Sequence, residues 1–419
     1  MILEDEYSVF DFAYGISDAI DLVSRDLNNH HKQVAYLSYN IAKEMQLPND
    51  DIIDIVLASI MHDIGAFTSK DRFQVVHALF DDNDCSEHQE IGYRLLRNFQ
   101  PFSNAAILIR NHHAHYDKAV SDLPIGCYIV HLADRLSILM NSQREILEQM
   151  PEIIDAIKTN SKIFHPKTLE AFYQIAHKEY IWIEASYFPY NRIMMDRMRI
   201  SRKIVDIETL RCLAKVIAQI IDFRSRFTST HSSGVAAVAY ELTKISGFSE
   251  TECMMMEIAG YLHDIGKLAV SNEILEKSGS LNQEELNEMR KHSYFTYVIL
   301  SQINGFEQIA ACAAYHHERL DGNGYPFHIK GKNFTKLARI IAVADIVTAI
   351  TEDRPYRSGM SGERALDILS EIARSGGIDK GIVDTVKANF SLVNDVRIKA
   401  QDRESQAYKE FYKNLDEAL

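Results

Sequence analysis

Residues 47–66 read LPNDDIIDIVLASIMHDIGA, and residues 247–267 read GFSETECMMMEIAGYLHDIGK. Each is a polar helix start, an apolar run at helical period, and then His-Asp-Ile-Gly. In the second stretch Ser249 and Glu252 have capping-box spacing. Such self-similarity marks a duplicated helical unit, and the match extends in both directions. His31 in HKQVAYLSY is matched with His231 in HSSGVAAVAYEL, and His88 in EHQEIGYRLL with His292 in KHSYFTYVIL. His112-His113 is matched with His316-His317, and Asp134 in HLADRLSIL with Asp345 in AVADIVTAI. Phe164-His165-Pro166-Lys167 corresponds to Ile378-Asp379-Lys380-Gly381, each ahead of a helix. The offset is 200 residues at the first pair and 214 at the last, so insertions lie between the motifs.

The two copies differ most between the paired histidines and the following aspartate. His112 to Asp134 spans 22 residues and His316 to Asp345 spans 29, the excess falling at GNGYPFHIKG. Helical periodicity also runs through 206–223, 282–303 and 361–374, while strand-like alternation is nearly absent. The expected fold is all-α: a first helical domain over 1–175, a helical linker over 176–207 broken near Pro189, and a second domain over 208–390. A charged amphipathic helical tail over 391–419 is expected to pack or dimerise rather than bind a membrane.

Composition narrows the function. Lysine and arginine number 45 against 59 aspartates and glutamates, a formal charge of −14. General binding of polymeric nucleic acid needs a basic surface, so that class is set aside, while a small phosphate ester needs only a few local cations. No apolar run approaches the ~18 residues of a membrane span. The acidic start MILEDE lacks a signal peptide's basic region, and the five scattered cysteines form no CxxC pair. These features point to a reducing cytoplasm.

The histidines suggest metal chemistry. There are 17, and ten of them fall at matched positions of the repeat. In the second copy His231, His263, Asp264, His292, His316, His317 and Asp345 supply imidazoles and carboxylates with no thiolate. That donor set suits iron, manganese or zinc better than calcium or magnesium, and a two-metal hydrolase needs a carboxylate that can bridge its ions.

The order HDIGK, HHERLDGNGYP, AD and RPYR in residues 208–390 resembles an HD-GYP domain, the branch of the HD phosphohydrolase superfamily that degrades cyclic di-GMP. The first half resembles a degenerate HD domain of the same lineage, which makes the expected fold two tandem HD-type domains. The resemblance implies a metal-dependent cyclic dinucleotide phosphodiesterase. It would open the 3′–5′ phosphodiester of cyclic di-GMP or 3′,3′-cyclic GMP-AMP to a linear dinucleotide, and in some cases on to mononucleotides. It implies two divalent ions, iron or manganese, that acidify the attacking water. One would be held by His231, His263, Asp264 and Asp345, the other by the bridging Asp264 with His292, His316 and His317. Lys267 would contact the scissile phosphate, and Arg354 and Arg357 would grip phosphate or guanine. Asp321, Gly324, Tyr325 and Pro326 would shape the substrate loop or dock a signalling partner. Phe227 stands where some members carry a third-site glutamate, which implies two ions rather than three. Thr348 stands where an aspartate is frequent.

The first copy keeps a candidate second metal site in His31, His62, Asp63, His88, His112, His113 and Asp134. It has Ala66 in place of Lys267 and lacks the GYP loop and the RPYR segment. It is therefore expected to be a regulatory or dimerising domain, with a metal site as an option; a structural relic and a second catalytic site are the alternatives. Two other functions compete. A non-catalytic dinucleotide receptor would have no need of complete ligands plus Lys267, and an HD hydrolase of nucleoside phosphates would have no need of the GYP loop.

Overall fold

The computed structural model describes residues 7–21, 29–66, 86–118, 122–187, 203–223, 230–277, 279–353 and 358–416. Two compact units emerge, Phe12–Lys203 in one and Met1–Asp11 with Ile204–Ala418 in the other. The described residues are almost wholly helical. Their one sheet is a two-residue antiparallel pairing of β1 (Tyr7–Ser8) with β2 (Ile204–Val205).

Helices α1 (Val9–Asp21), α2 (His30–Glu44), α3 (Asn49–Met61), α4 (Ser86–Leu96) and α5 (Ser103–Arg110) come first. They are followed by α6 (Ile125–Leu139), α7 (Ile146–Thr159), α8 (Pro166–Ala176) and α9 (Glu179–Tyr187). The second series is α10 (Ile207–Phe223), α11 (His231–Ile245), α12 (Glu250–Leu262), the single turn α13 (Asn272–Leu275), α14 (Gln283–Leu300) and α15 (Glu307–Ala314). It ends with α16 (Lys336–Thr351), α17 (Gly362–Arg374), α18 (Lys380–Ala388) and α19 (Phe390–Asp416).

The same core is built twice. In α2, Val34, Leu37 and Ile41 form a buried stripe at helical spacing against α3 and α6. In α11, Val235, Val238 and Leu242 do the same against α12 and α16. Burial of such stripes, at roughly 1.5–3 kcal/mol per large aliphatic side chain, fixes these helices. Ser249 and Glu252 form the reciprocal capping box that starts α12.

The stretch 176–207 is not one helix. α8 ends at Ala176, α9 begins at Glu179, and Ile204–Val205 is strand. The β-branched pair fits the strand, where such side chains are at ease. Pro189, Phe227, Arg354 and Arg357 lie outside the described residues. The tail helix α19 packs along α11, with Val393 and Gln401 buried.

The glycine of each His-Asp-Ile-Gly lets the turn after the helix touch its neighbour. A Cβ on Gly266 would collide with the carbonyl of His292, and one on Gly65 with the carbonyl of His88. Both clashes are with backbone, which cannot swing aside. Gly65→Ala and Gly266→Ala should each lower unfolding free energy by about 1–3 kcal/mol, the usual cost of overpacking. Urea denaturation measures it, and unchanged midpoints would contradict this packing.

Candidate metal centre

His263 closes α12 and its Nδ1 donates to the carbonyl of Gly260 at 2.8 Å. His292 Nδ1 donates to Met289 O at 2.6 Å, and His316 Nδ1 to Ala313 O at 2.7 Å. All three are bonds to the carbonyl three residues back on the same helix. Each fixes the tautomer with its proton on Nδ1, leaving a lone pair on Nε2. Two of these lone-pair atoms then face each other, His292 Nε2 and His316 Nε2 being 3.1 Å apart. Ser293 Oγ lies 3.2 Å from the former. Burial holds the His292 pKa down at about 3 and pushes His316 well below its ordinary value, so both rings are neutral. Facing lone pairs in a buried place are unfavourable until a cation joins them, so the residues present fit a metal ion.

Asp264 is placed to bridge. Its Oδ1 lies 3.5 Å from His292 Nε2 and 4.0 Å from His316 Nε2. Its Oδ2 lies 3.2 Å from His263 Nε2 and 2.5 Å from Lys267 Nζ. One carboxylate thus serves two imidazole groups, and each group could hold an ion: His231, His263 and Asp264 in one, His292, His316 and His317 in the other. Burial opposes ionisation of Asp264, but His263 and Lys267 outweigh it and keep the pKa well below the usual carboxylate range. Asp345 Oδ1 approaches His231 Nε2 at 3.2 Å. Burial disfavours the charged His231 ring, but Glu352 and Asp345 raise its pKa to about 10. A proton sits there in the absence of metal, and metal binding must displace it.

Several supporting residues were not evident in the sequence. Glu352 holds His231 Nδ1 with oxygens at 3.0 and 3.2 Å, and Gln401 of α19 donates to Glu352 at 3.0 Å. Arg397 in turn donates to Gln401. Glu352 lies seven residues beyond Asp345, on the same helical face, which is a readable signal. Gln401 comes from a distant helix and leaves none. Asp222 accepts from the Ser232 backbone N–H at 3.2 Å and hydroxyl at 2.9 Å, steadying the start of α11.

The GYP loop is pinned to the centre. Glu318 is 2% exposed and accepts three backbone N–H groups, from Phe327 at 2.7 Å, His328 at 3.1 Å and Ile329 at 3.0 Å. Tyr325, joined to Pro326 by a cis peptide, lays its ring 4.8 Å from that of His317, with the Arg290 guanidinium 4.5 Å from the Tyr325 ring centre. Gly324 packs where a Cβ would strike the backbone of Glu318 and Arg319. Asp321 pairs with Arg319 at 2.8 Å and accepts from Asn323 N at 2.9 Å, contacts that shape the loop. Thr348 is buried.

The first copy repeats the plan. Asp63 Oδ1 lies 3.5 Å from His88 Nε2 and 3.7 Å from His112 Nε2, and its Oδ2 lies 3.5 Å from His62 Nε2. His62 and His112 donate Nδ1–H to Ser59 O and Ile109 O, as their counterparts do. The repeat register differs from the sequence match at one place. His30, not His31, is the first residue of α2, as His231 is of α11. His30 Nε2 meets Asp134 Oδ1 at 3.2 Å, the distance seen for His231 and Asp345. His31 instead pairs with Asp21, as Ser232 does with Asp222. Two adjacent histidines cannot be ranked by residue type, but a constant offset of 201 links His30–His231 with His62–His263. His31 still groups with His62 and Asp63, and Asp63, His88, His112 and His113 form a further set.

Removing Glu352 should loosen His231 without touching a ligand. Glu352→Gln is expected to weaken metal affinity about 10–100-fold, the usual cost of losing a carboxylate behind a ligating imidazole. Competition against a fluorescent chelator measures this, and unchanged affinity would contradict the role.

Comparison with known proteins follows the same division. Residues 28–139 match the family model HD, and residues 215–382 the model HD_5, both described as HD domain. The 3′3′-cGAMP-specific phosphodiesterase 1 of Vibrio cholerae is 28% identical over 390 residues, covering 89% of this chain and 90% of that protein. The cyclic di-GMP phosphodiesterase response regulator RpfG of Xanthomonas campestris is 38% identical over 155 residues, 36% of this chain and 41% of that protein. A crystal structure of the Vibrio cholerae cyclic GMP-AMP phosphodiesterase V-cGAP3 shares the fold, with a TM-score of 0.65 at 22% identity over 92% of this chain and 98% of that one. The chain carries two HD domains in tandem and is homologous to the HD-type phosphodiesterases of 3′3′-cGAMP and cyclic di-GMP.

Proposed function

We propose that the second domain hydrolyses a cyclic dinucleotide, and that 3′,3′-cyclic GMP-AMP is a substrate. The observation that carries this reading is the partial opening of the second site. Side chains of Lys267 and Asp345 are 22% and 13% exposed, and His317 is half-buried, beside the buried His231, His263, Asp264, His292 and His316. In the first copy the matching Asp134 is 0% exposed, and Ala66 replaces the lysine. A phosphate can therefore approach the second site and meet a cation there. The chain-long similarity to a 3′3′-cGAMP-specific enzyme supports that dinucleotide, while cyclic di-GMP is the second substrate to test.

Two divalent ions, iron or manganese, held by His231, His263, Asp264, His292, His316, His317 and Asp345 would supply Lewis acidity and an acidified water. The protein's own groups do the rest. Lys267 offsets phosphate charge through a fixed ammonium, which Asp264 and Asp345 keep protonated against the effect of burial. The pinned loop of Asp321, Gly324, Tyr325 and Pro326 holds His317 in place and walls the site. Arg354 and Arg357 grip phosphate or guanine in this reading. Hydrolysis adds one water across the P–O3′ bond, so the oxygen of water joins phosphorus and the 3′-hydroxyl leaves with a proton. The product is a linear dinucleotide with a 5′-phosphate.

The first domain is proposed to regulate or dimerise rather than catalyse. The protein is proposed to act in the cytoplasm, in keeping with free Cys127, Cys212, Cys253 and Cys312. No helix among the described residues is long and apolar enough to cross a membrane.

Protein loaded with Mn(II) or Fe(II) under reducing conditions should convert 3′,3′-cyclic GMP-AMP to linear product resolved by chromatography. Cyclic di-GMP assayed in parallel sets the preference. His263→Ala/Asp264→Ala should abolish turnover, and His62→Ala/Asp63→Ala should retain most of it. No turnover of either dinucleotide would overturn the assignment. Loss of activity in a folded His62→Ala/Asp63→Ala protein would overturn the division of labour.

A further inference from the structure

We propose that the Arg135 guanidinium is a built-in cation standing in for a second ion in the N-terminal domain, which leaves the HD set of His30, His62, Asp63 and Asp134 to hold a single divalent ion. The hydrogen bonds around His30 fix its tautomer. Ser137 Oγ donates its only proton to Gln33 Oε1 at 2.7 Å, so it must accept from His30 Nδ1 at 3.0 Å. His30 Nε2 therefore carries a lone pair. His62 Nδ1 donates to Ser59 O, which aims Nε2 into the site. Burial disfavours a charged ring, but Asp63 and Asp134 raise its pKa to about 9, so a metal must displace the Nε2 proton here as at His231. The His30 and His62 Nε2 atoms lie 3.3 Å apart, with Asp134 Oδ1 at 3.2 Å from the first and 3.7 Å from the second. Asp63 Oδ2 is 3.5 Å from His62 Nε2. Two imidazole Nε2 atoms and two carboxylates, converging in a place almost wholly shielded from solvent, supply the donors of a single-ion site.

Arg135 disables the neighbouring position. It is 0% exposed, and its Nη2 donates to Asp134 Oδ2 at 2.5 Å and to His113 Nδ1 at 3.3 Å. Arginine can only donate, so His113 accepts at Nδ1 and carries its proton on Nε2, with no lone pair left for a metal. His113 is the counterpart of His317, so the second ion position loses a ligand. In the second copy the position of Arg135 is Ile346, reached by the 211-residue offset that links Asp134 to Asp345.

The inference concerns a different domain from the proposed catalysis and stands or falls separately. The full chain with His263→Ala/Asp264→Ala would be loaded with Mn(II), desalted, and assayed for metal content and electron paramagnetic resonance. About one Mn per chain is expected, with the hyperfine pattern of an isolated ion. In that background His30→Ala should lose the ion. Arg135→Ile should gain a second ion and a spin-coupled spectrum. No bound Mn, two coupled Mn with Arg135 in place, or an ion retained by His30→Ala would each overturn the proposal. If Arg135→Ile fails to fold by circular dichroism, the first spectrum and the His30→Ala result still decide.

Discussion

The structure depends on a tautomer lock. A histidine at a helix end, or within the helix as at His292, donates Nδ1–H to the carbonyl three residues back, and its Nε2 is thereby aimed into the bundle. His62, His112, His263, His292 and His316 all do this. The helical backbone, already committed to packing, sets the direction of each ring at no further entropic cost beyond its own rotamer. Where two such rings converge beside an ionised carboxylate, a dication is the natural partner. The fold's other features serve this convergence: glycines that bring turn against helix, α19 reaching back through Gln401, and a loop that braces His317.

The two copies show how one scaffold is turned to different ends by a few changes of charge. Lys267 is exchanged for Ala66 and Ile346 for Arg135, so a cation moves from the open side of one site into the buried interior of the other. A cation at the mouth recruits an anionic phosphate. A cation sealed among the ligands competes with metal. The supporting carboxylate behind His231 is Glu352, while Ser137 stands behind His30, so the first site carries less negative charge around it. The proposed division between a catalytic and a structural or regulatory domain rests on these differences.

Much of this was legible in the sequence because the repeat ties chemistry to spacing. The all-helical fold, the paired His-Asp motifs and the loop that distinguishes the copies can be read from periodicity and insertion length alone. Residue type alone does not rank His30 against His31; only the constant offset of 201 does. A strand as short as Ile204–Val205, two β-branched residues, leaves no alternating pattern to read. Glu352 was readable in principle, at two helical turns from Asp345. Arg135 and Gln401 were not, since their meaning lies in which side chains they meet: the counterpart of Arg135 is an apolar residue, and Gln401 joins the site across 49 residues.

The account's central claim is that converging Nε2 atoms are metal positions, and anomalous diffraction at the manganese edge tests it most directly. Crystals of the Mn(II)-loaded full chain should show two peaks in the second domain, one beside His231 and His263 and one beside His292 and His316, bridged by Asp264. The first domain should show one peak, between His30 and His62, and none beside His113 and Arg135. Absence of a peak between His292 and His316, with metal elsewhere on the chain, would contradict it.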